Sequence, residues 1–168
     1  MLREILIVLG IDPGLVITGF GVISVTGGNA YEYITSGVIE TKNTTNLEQR
    51  LKYIYENVFR LIETHKPQEI AMEEVFINTN QKSSSKLIMG RTAAYLACCN
   101  FGYQVNEYAP NTVKKNITGN GHASKDQVHI MVQKIFCTSI DKNKTNDAID
   151  AIAIALCHLF KKMSKNYF

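Results

Sequence analysis

Several carboxylates stand where an otherwise apolar sequence least tolerates charge. Asp12 closes the run Ile5–Ile11 and precedes Pro13-Gly14. A carboxylate there lies at the rim of a core, where desolvation is costly unless a partner or cation is present. It can also accept hydrogen bonds within the Pro13-Gly14 turn. Glu73 and Glu74 end a second apolar stretch, Ile70-Ala71-Met72, although glutamate is a poor strand former. Strand side chains alternate, so only one of the two can face Asp12, and both can instead sit on a solvated edge. Asp147 and Asp150 are three apart at the start of a helix and share a face. They can simply offset the helix dipole. The uncharged segment Ala151–Leu156 that follows argues for a buried helix and against a purely solvated Asp150.

If the strand-end and helix-start acids converge, they form an all-oxygen cluster whose members repel one another at neutral pH. Hard divalent cations remove that repulsion, and a carboxylate set without His or Cys favours Mg²⁺ or Mn²⁺ over zinc. Two such ions about 3.5–4 Å apart are the arrangement that activates water and stabilises the leaving oxygen in phosphodiester cleavage. His158 lies on roughly the same face of the last helix as Asp147 and is within reach of such a site, or is a core or surface histidine.

The basic residues suit the same substrate. Asn116–Lys125 reads as a glycine-containing loop entering a helix N-terminus, where free backbone N–H groups attract phosphate. Lys114, Lys115 and Lys125 flank it. The P-loop spacing is absent, which disfavours nucleotide hydrolysis, and no Ser-His-Asp arrangement offers a covalent route. Lys161, Lys162 and Lys165 read as a solvated end. The net charge of +3 divides unevenly, with the first 84 residues acidic and the remainder basic. That asymmetry fits a carboxylate site beside a polyanion-binding surface.

The elements that must position these groups follow from pattern. With 168 residues, 45% hydrophobic and 20% charged, the chain is expected to form a single domain over 1–168. Ile5–Ile11, Ile17–Val25 and Tyr31–Thr41 read as strands joined by short turns, an antiparallel meander. Thr45 and Glu48 form a capping-box pattern before a helical stripe from Leu47 to Ile62 that Pro67 ends. Gln68–Val75 is a strand, about 80–101 a helix, Tyr103–Tyr108 a fifth strand. Ser124 and Gln127 cap a further helix, and the last begins near Thr145 or Asn146 and runs to about Met163. Helical crossovers between later strands imply parallel pairing. The expected fold class is α/β, with a five-stranded mixed sheet, three antiparallel strands then two parallel ones, covered by helices. Ligands of such sheets bind beyond the carboxyl ends of the parallel strands.

Cys98, Cys99, Cys137 and Cys157 form no C-x-x-C pair and read as reduced, buried residues. Ile5–Ile11 is too short for a membrane span and lacks a cleavage site, so a cytoplasmic protein with no membrane partner is expected.

In order and spacing, Gly10-Ile11-Asp12-Pro13-Gly14 with Thr18-Gly19-Phe20-Gly21-Val22, then Met72-Glu73-Glu74-Val75-Phe76, then Tyr108-Ala109-Pro110 with Val113-Lys114 and Gly119–Lys125, and last Asn146-Asp147-Ala148-Ile149-Asp150-Ala151 resemble the motifs of RuvC-type Holliday-junction resolvases, the crossover junction endodeoxyribonucleases. The resemblance spans almost the whole chain. It implies a ribonuclease-H-like fold, a homodimer, and symmetric Mg²⁺-dependent nicking of four-way DNA junctions in recombination and repair. It also implies hydrolysis with two metal ions, for which Mn²⁺ can substitute, leaving 5′-phosphate and 3′-hydroxyl ends. By motif position Asp12, Glu73, Asp147 and Asp150 are the metal-binding catalytic acids. Lys125 and Lys114 lie near the scissile phosphate, and Phe76 lies beside the junction DNA. Glu74 is left out of the site. RuvA and RuvB, the branch-migration proteins, are the implied partners. Gly90, Ala93, Ala94 and Ala97 form a small-residue helix face open to either a dimer contact or packing on the sheet. Rival readings are another nuclease or transposase on the same fold, and a non-catalytic junction-binding protein. An actin-like ATPase is excluded because the chain is too short for two lobes.

Overall fold

Apolar runs that can be buried on both faces fall in the middle of the sheet, and the computed structural model shows why. It describes residues 5–26, 30–43, 46–75, 81–136, 140 and 145–165. In chain order the elements are β1 (Ile5–Asp12), β2 (Ile17–Thr26), β3 (Ala30–Glu40), α1 (Leu47–His65), β4 (Glu69–Glu73), α2 (Gln81–Asn100), β5 (Val105–Tyr108), α3 (Pro110–Thr118), α4 (Lys125–Ile135) and α5 (Asn146–Lys165). The five-stranded sheet has the order β3-β2-β1-β4-β5. β1–β2 and β2–β3 pair antiparallel, β1–β4 and β4–β5 parallel, so the mixed sheet expected from the sequence is the one formed.

β1 lies centrally, and side chains on its two faces enter two different cores. Val8 joins Ile23, Ala71 and α5 residues including Ile152, Leu156 and Leu159, with α3 and α4 packed outside them. Leu9 and Ile11 join Ile70, Met72, Ile54, Val58 and Ile62 of α1, and Ala94 and Ala97 of α2. The result is a sheet between two helical layers.

Close approach of α5 to the sheet depends on missing side chains. A Cβ on Gly10 would stand 2.1 Å from the Ala151 carbonyl oxygen, and one on Gly19 would stand 2.1 Å from that of Asp147. Gly21 lies against the Ile152 backbone in the same way. In the β1–β2 register Gly10 faces Gly21 and Asp12 faces Gly19, so these glycines form a shallow trough that seats the first turns of α5.

Two expectations need correction, and one reading left open resolves to one of its alternatives. Helix α1 is capped by Asn46, whose Oδ1 accepts from the Gln49 N–H at 2.9 Å, one residue later than the Thr45–Glu48 pattern; Thr45 itself lies outside the described residues. A helix, α3, occupies part of what reads as loop. It is nine residues long with only Val113 and Ile117 buried, so its periodic signal is short, and Asn and Thr supply much of the remainder. Finally, the small-residue face of α2 packs inside the chain: Ala94 and Ala97 are fully buried, and Gly90 lies against the backbone of Gly14 and Leu15. Small residues there let α2 approach the turn after β1.

Candidate active site

The two central parallel strands end together. β1 and β4 pair through Ile11↔Met72, and one step beyond that pair each strand finishes in a carboxylate, Asp12 and Glu73. Alternation puts Ile11 and Met72 into the α1–α2 core, so Asp12 and Glu73 emerge on the opposite face, under α5. The chain leaving Asp12 is pinned at once. Thr18 is fully buried; its hydroxyl donates to the Gly14 carbonyl at 2.6 Å and accepts from the Gly14 N–H at 3.2 Å. Thr41 donates to the Leu15 carbonyl at 2.6 Å. The turn is thereby satisfied by hydroxyls, leaving the Asp12 carboxylate outside that network.

The other acids arrive from above. Because Asp147 lies directly over Gly19, which pairs with Asp12, the helix start is held at the end of β1. Asp150, one turn on, lines a cavity of about 210 Å³ together with Asp12, Glu73, Lys114 and Lys125. Its walls include Pro110, Val113, Val128, Ala153 and Ile154, apolar groups that limit screening by water. α3 supplies Lys114 and α4 supplies Lys125.

The loop between those helices differs from a phosphate cradle. Its amides are used internally: Asn120 N–H donates to the Thr118 hydroxyl at 3.1 Å, His122 N–H to Asn120 Oδ1 at 3.0 Å, Ala123 N–H to the Asn120 carbonyl at 3.1 Å. Ser124 and Gln127 complete a reciprocal capping box at the start of α4. Hence the tight loop serves to aim Lys125, and its positive charge comes from the side chain.

Burial and crowding set the electrostatics. Desolvation, then repulsion from Glu73, Asp150 and Asp147, pushes the Asp12 carboxyl up to about 8, only partly offset by Lys125. Glu73 is also raised, by burial and then by Asp150. Asp150 is held below the usual range: burial opposes its ionisation, but hydrogen bonds from His129 and Lys125 outweigh it. Lys125 Nζ donates to Asp150 Oδ2 at 2.8 Å, and His129 Nε2 lies 2.9 Å from Oδ1. Among the described residues no group of three or more acidic, His or Cys side chains stands ready-arranged around an ion position. Asp150 is turned toward its cations. The donor set nevertheless fits a hard divalent cation, since oxygen ligands converge from several elements and no described hydrogen bond or ion pair neutralises Asp12 or Glu73.

Of the remaining sequence candidates, Phe76 lies outside the described residues. Lys115 is exposed, and so is Glu74, whose N–H donates to the Tyr108 carbonyl at 2.9 Å. His158 is two turns further along α5 than Asp150, buried, and joined to Tyr108 Oη at 2.8 Å and Glu69 at 3.2 Å, away from the cavity. Sequence reasoning missed His129. Its signal is its position four residues after Lys125, which places both on one face of α4.

A family model described as Crossover junction endodeoxyribonuclease RuvC matches residues 8–158. The chain is 43% identical over 155 residues to the crossover junction endodeoxyribonuclease RuvC of Ehrlichia canis (strain Jake), covering 92% of this chain and 97% of that protein. It is 42% identical over 153 residues to its counterpart from Saccharophagus degradans, covering 91% and 87%. Among solved structures, T. thermophilus RuvC in complex with Holliday junction substrate superposes with a TM-score of 0.87 at 29% identity, covering 95% of this chain and 96% of that one. The yeast mitochondrial Holliday junction resolvase Ydc2, at 15% identity and a TM-score of 0.69 over 96% and 80% of the two chains, shares the fold.

Proposed function

The chain belongs to the RuvC family of crossover junction endodeoxyribonucleases, and from that premise we propose that it resolves four-way DNA junctions by metal-dependent hydrolysis at the cavity between β1, β4 and α5. The observation that carries this reading is the single cavity lined by Asp12, Glu73 and Asp150 with Lys114 and Lys125 at its edge. Asp12, Glu73, Asp147 and Asp150 would hold the divalent cations, Mg²⁺ with Mn²⁺ as substitute, two to a site. When bound, such ions supply Lewis-acid polarisation of the phosphate and a nucleophilic water at neutral pH.

The chain's own groups do the rest. Strand ends fixed by the sheet and a helix seated on glycine fix the backbone positions of the acids, so only side chains such as Lys125 need to move when the phosphate arrives. Lys125 and Lys114 offer ammonium groups to the phosphoryl oxygens, on which negative charge accumulates during in-line attack. Val113, Val128, Ala153 and Ile154 keep that charge out of bulk water. The bond broken is P–O3′, leaving a 3′-hydroxyl and a 5′-phosphate, with no covalent enzyme intermediate. Phe76, just past Glu73 in the sequence, would contact junction bases, and residues 1–168 would act as a single nuclease domain.

Two symmetric nicks require two equivalent sites, which a two-fold homodimer supplies. Cooperation with RuvA and RuvB is part of the same reading. A cytoplasmic location is part of the same proposal; among the described residues no helix is long and apolar enough to cross a membrane. The deciding experiment incubates the purified chain with a synthetic four-way junction, a flap, a linear duplex and an RNA–DNA hybrid, with and without Mg²⁺. Paired nicks in the junction alone, only with Mg²⁺, are expected. Equal cutting of the hybrid or linear duplex would transfer the chain to another nuclease activity.

A further inference from the structure

We propose that His129 is a positioning residue for Asp150, its imidazole fixing one carboxylate oxygen so that the other is the oxygen presented to the cavity. The inference rests on the cavity being the cation-holding site described above, and deepens that reading. Lys125 and His129 stand one turn apart on α4, and each takes a different oxygen of Asp150: Lys125 Nζ lies 2.8 Å from Oδ2, His129 Nε2 2.9 Å from Oδ1. Their surroundings are unlike. The Lys125 side chain is 65% exposed and that of His129 11% exposed.

That contrast assigns them different duties. An exposed lysine on a flexible stem exchanges partners readily, and this one also faces the place where a phosphate would lie. A ring enclosed between two packed helices does not move without moving α4. That helix is anchored by its capping box and by buried Val128 and Val132. An ionised carboxylate only accepts hydrogen bonds, so the ring nitrogen at Oδ1 carries the proton and donates it. With Oδ1 held, rotation of the carboxylate is blocked, and Oδ2 becomes available to a cation whenever the exposed Lys125 swings off it, with or without DNA. Without His129, both oxygens are free to swing onto Lys125, which then competes with the cation.

The test measures Mn²⁺ binding to the full chain without DNA, by electron paramagnetic resonance, beside four-way junction binding in EDTA. For His129→Leu the expected result is Mn²⁺ affinity weakened by about 10–100-fold, the range typical of losing a ligand's supporting partner, with junction binding in EDTA unchanged. His129→Gln, whose amide N–H reaches a similar position, is expected to recover most of that loss. Wild-type Mn²⁺ affinity in His129→Leu, or a Gln variant no better than Leu, overturns the positioning role. A wild-type chain that binds no Mn²⁺, or an Asp150→Asn variant that binds it undiminished, instead overturns the reading of the cavity and this inference with it. Should His129→Leu not fold, the imidazole ¹⁵N spectrum of the wild type decides. A protonated Nε2 on His129 supports the proposal and a bare one rejects it.

Discussion

Asp12 concentrates the tension of the site in one side chain. Its carboxyl titrates at about 8 when folded and near 3.8 when free, because burial and then three neighbouring acids oppose its charge. The folded chain therefore binds the proton more tightly than the unfolded one. Below pH 3.8 both states are protonated and no penalty exists; stability then falls as pH rises through the window to about 8, and above it the loss is complete, on the order of a few kcal/mol. Asp12→Asn removes that penalty. At pH 8 in metal-free buffer the variant is expected to melt at a higher temperature than wild type, and Mg²⁺ should raise the wild-type melting temperature more than the variant's. The same substitution should leave junction binding intact and reduce cleavage by more than the roughly 100-fold cost of losing a mere supporting partner. A variant that melts no higher than wild type and cuts normally would remove Asp12 from the site. Lys125 makes a separate prediction. Lys125→Met should slow cleavage by roughly 10²–10³-fold, the usual cost of deleting one group that stabilises developing negative charge, measured under single-turnover conditions on saturated junction.

Elements, rather than single acids, decide where the carboxylates meet. The sharpest constraint is at Gly19, where an added Cβ would fall 2.1 Å from the Asp147 carbonyl oxygen. The contact is with backbone, so α5 itself must retreat, taking Asp147 and Asp150 with it. Gly19→Ala is expected to cost about 1–3 kcal/mol, the range for overpacking, read by urea denaturation, and to lose cleavage disproportionately. Gly102→Ala is the control: it meets open space, but its φ of +77° still costs about 1 kcal/mol, with cleavage unchanged. Had both variants the same cleavage, the seating of α5 would not govern the site. The sequence made much of this legible. Asp12 and Glu73 could be placed at strand ends because Ile5–Ile11 and Ile70–Met72 are runs too apolar to be anything but buried strands. Asp147 and Asp150 stood out because no charge follows them for a full turn and more. What stayed hidden depends on tertiary contact. The seating role of Gly19 needs the β1–β2 register and α5 together; α3 has too few apolar positions to show its period; and His129 on Asp150 joins residues from different helices. Of the cysteines read as buried, Cys98 and Cys157 are, the Cys98 thiol pushed up to about 12 by burial and then by its neighbour; Cys99 is exposed, contrary to that reading, and Cys137 lies outside the described residues.

At the scale of the whole molecule, the acidic first half and basic second half meet at the cavity, since Asp12 and Glu73 come from one and Lys114 and Lys125 from the other. That arrangement gives a single chain one site, and junction resolution needs two. The proposed homodimer would need a face for a second copy, and α2 carries a candidate. On α2 the buried small residues point inward, whereas Ile88, Met89 and Leu96 are exposed at 37%, 41% and 54%. Met89 and Leu96 also line an apolar groove with Leu51 and Tyr55 of α1, about 320 Å³ in volume. Exposed apolar side chains in register along one helix are the usual mark of a protein contact, whereas singly scattered ones need no explanation. A two-fold axis past α2 would make the contact isologous, each Leu96 meeting the same surface on its mate. Leu96→Glu places like charges across such an axis and should shift the chain from dimer to monomer in sedimentation equilibrium. It touches neither the cavity nor α5, so the far-ultraviolet circular dichroism of each copy should be unchanged, while the melting temperature should lose its dependence on protein concentration. On a supercoiled plasmid carrying an extruded cruciform, the proposed dimer would make both nicks within one encounter and yield linear DNA, while a monomer would release nicked circle after the first cut and the cruciform would be reabsorbed. The Leu96→Glu chain is therefore expected to accumulate nicked circle. If it still sediments as a dimer and yields linear product at the wild-type rate, the contact between copies lies on another face of the molecule.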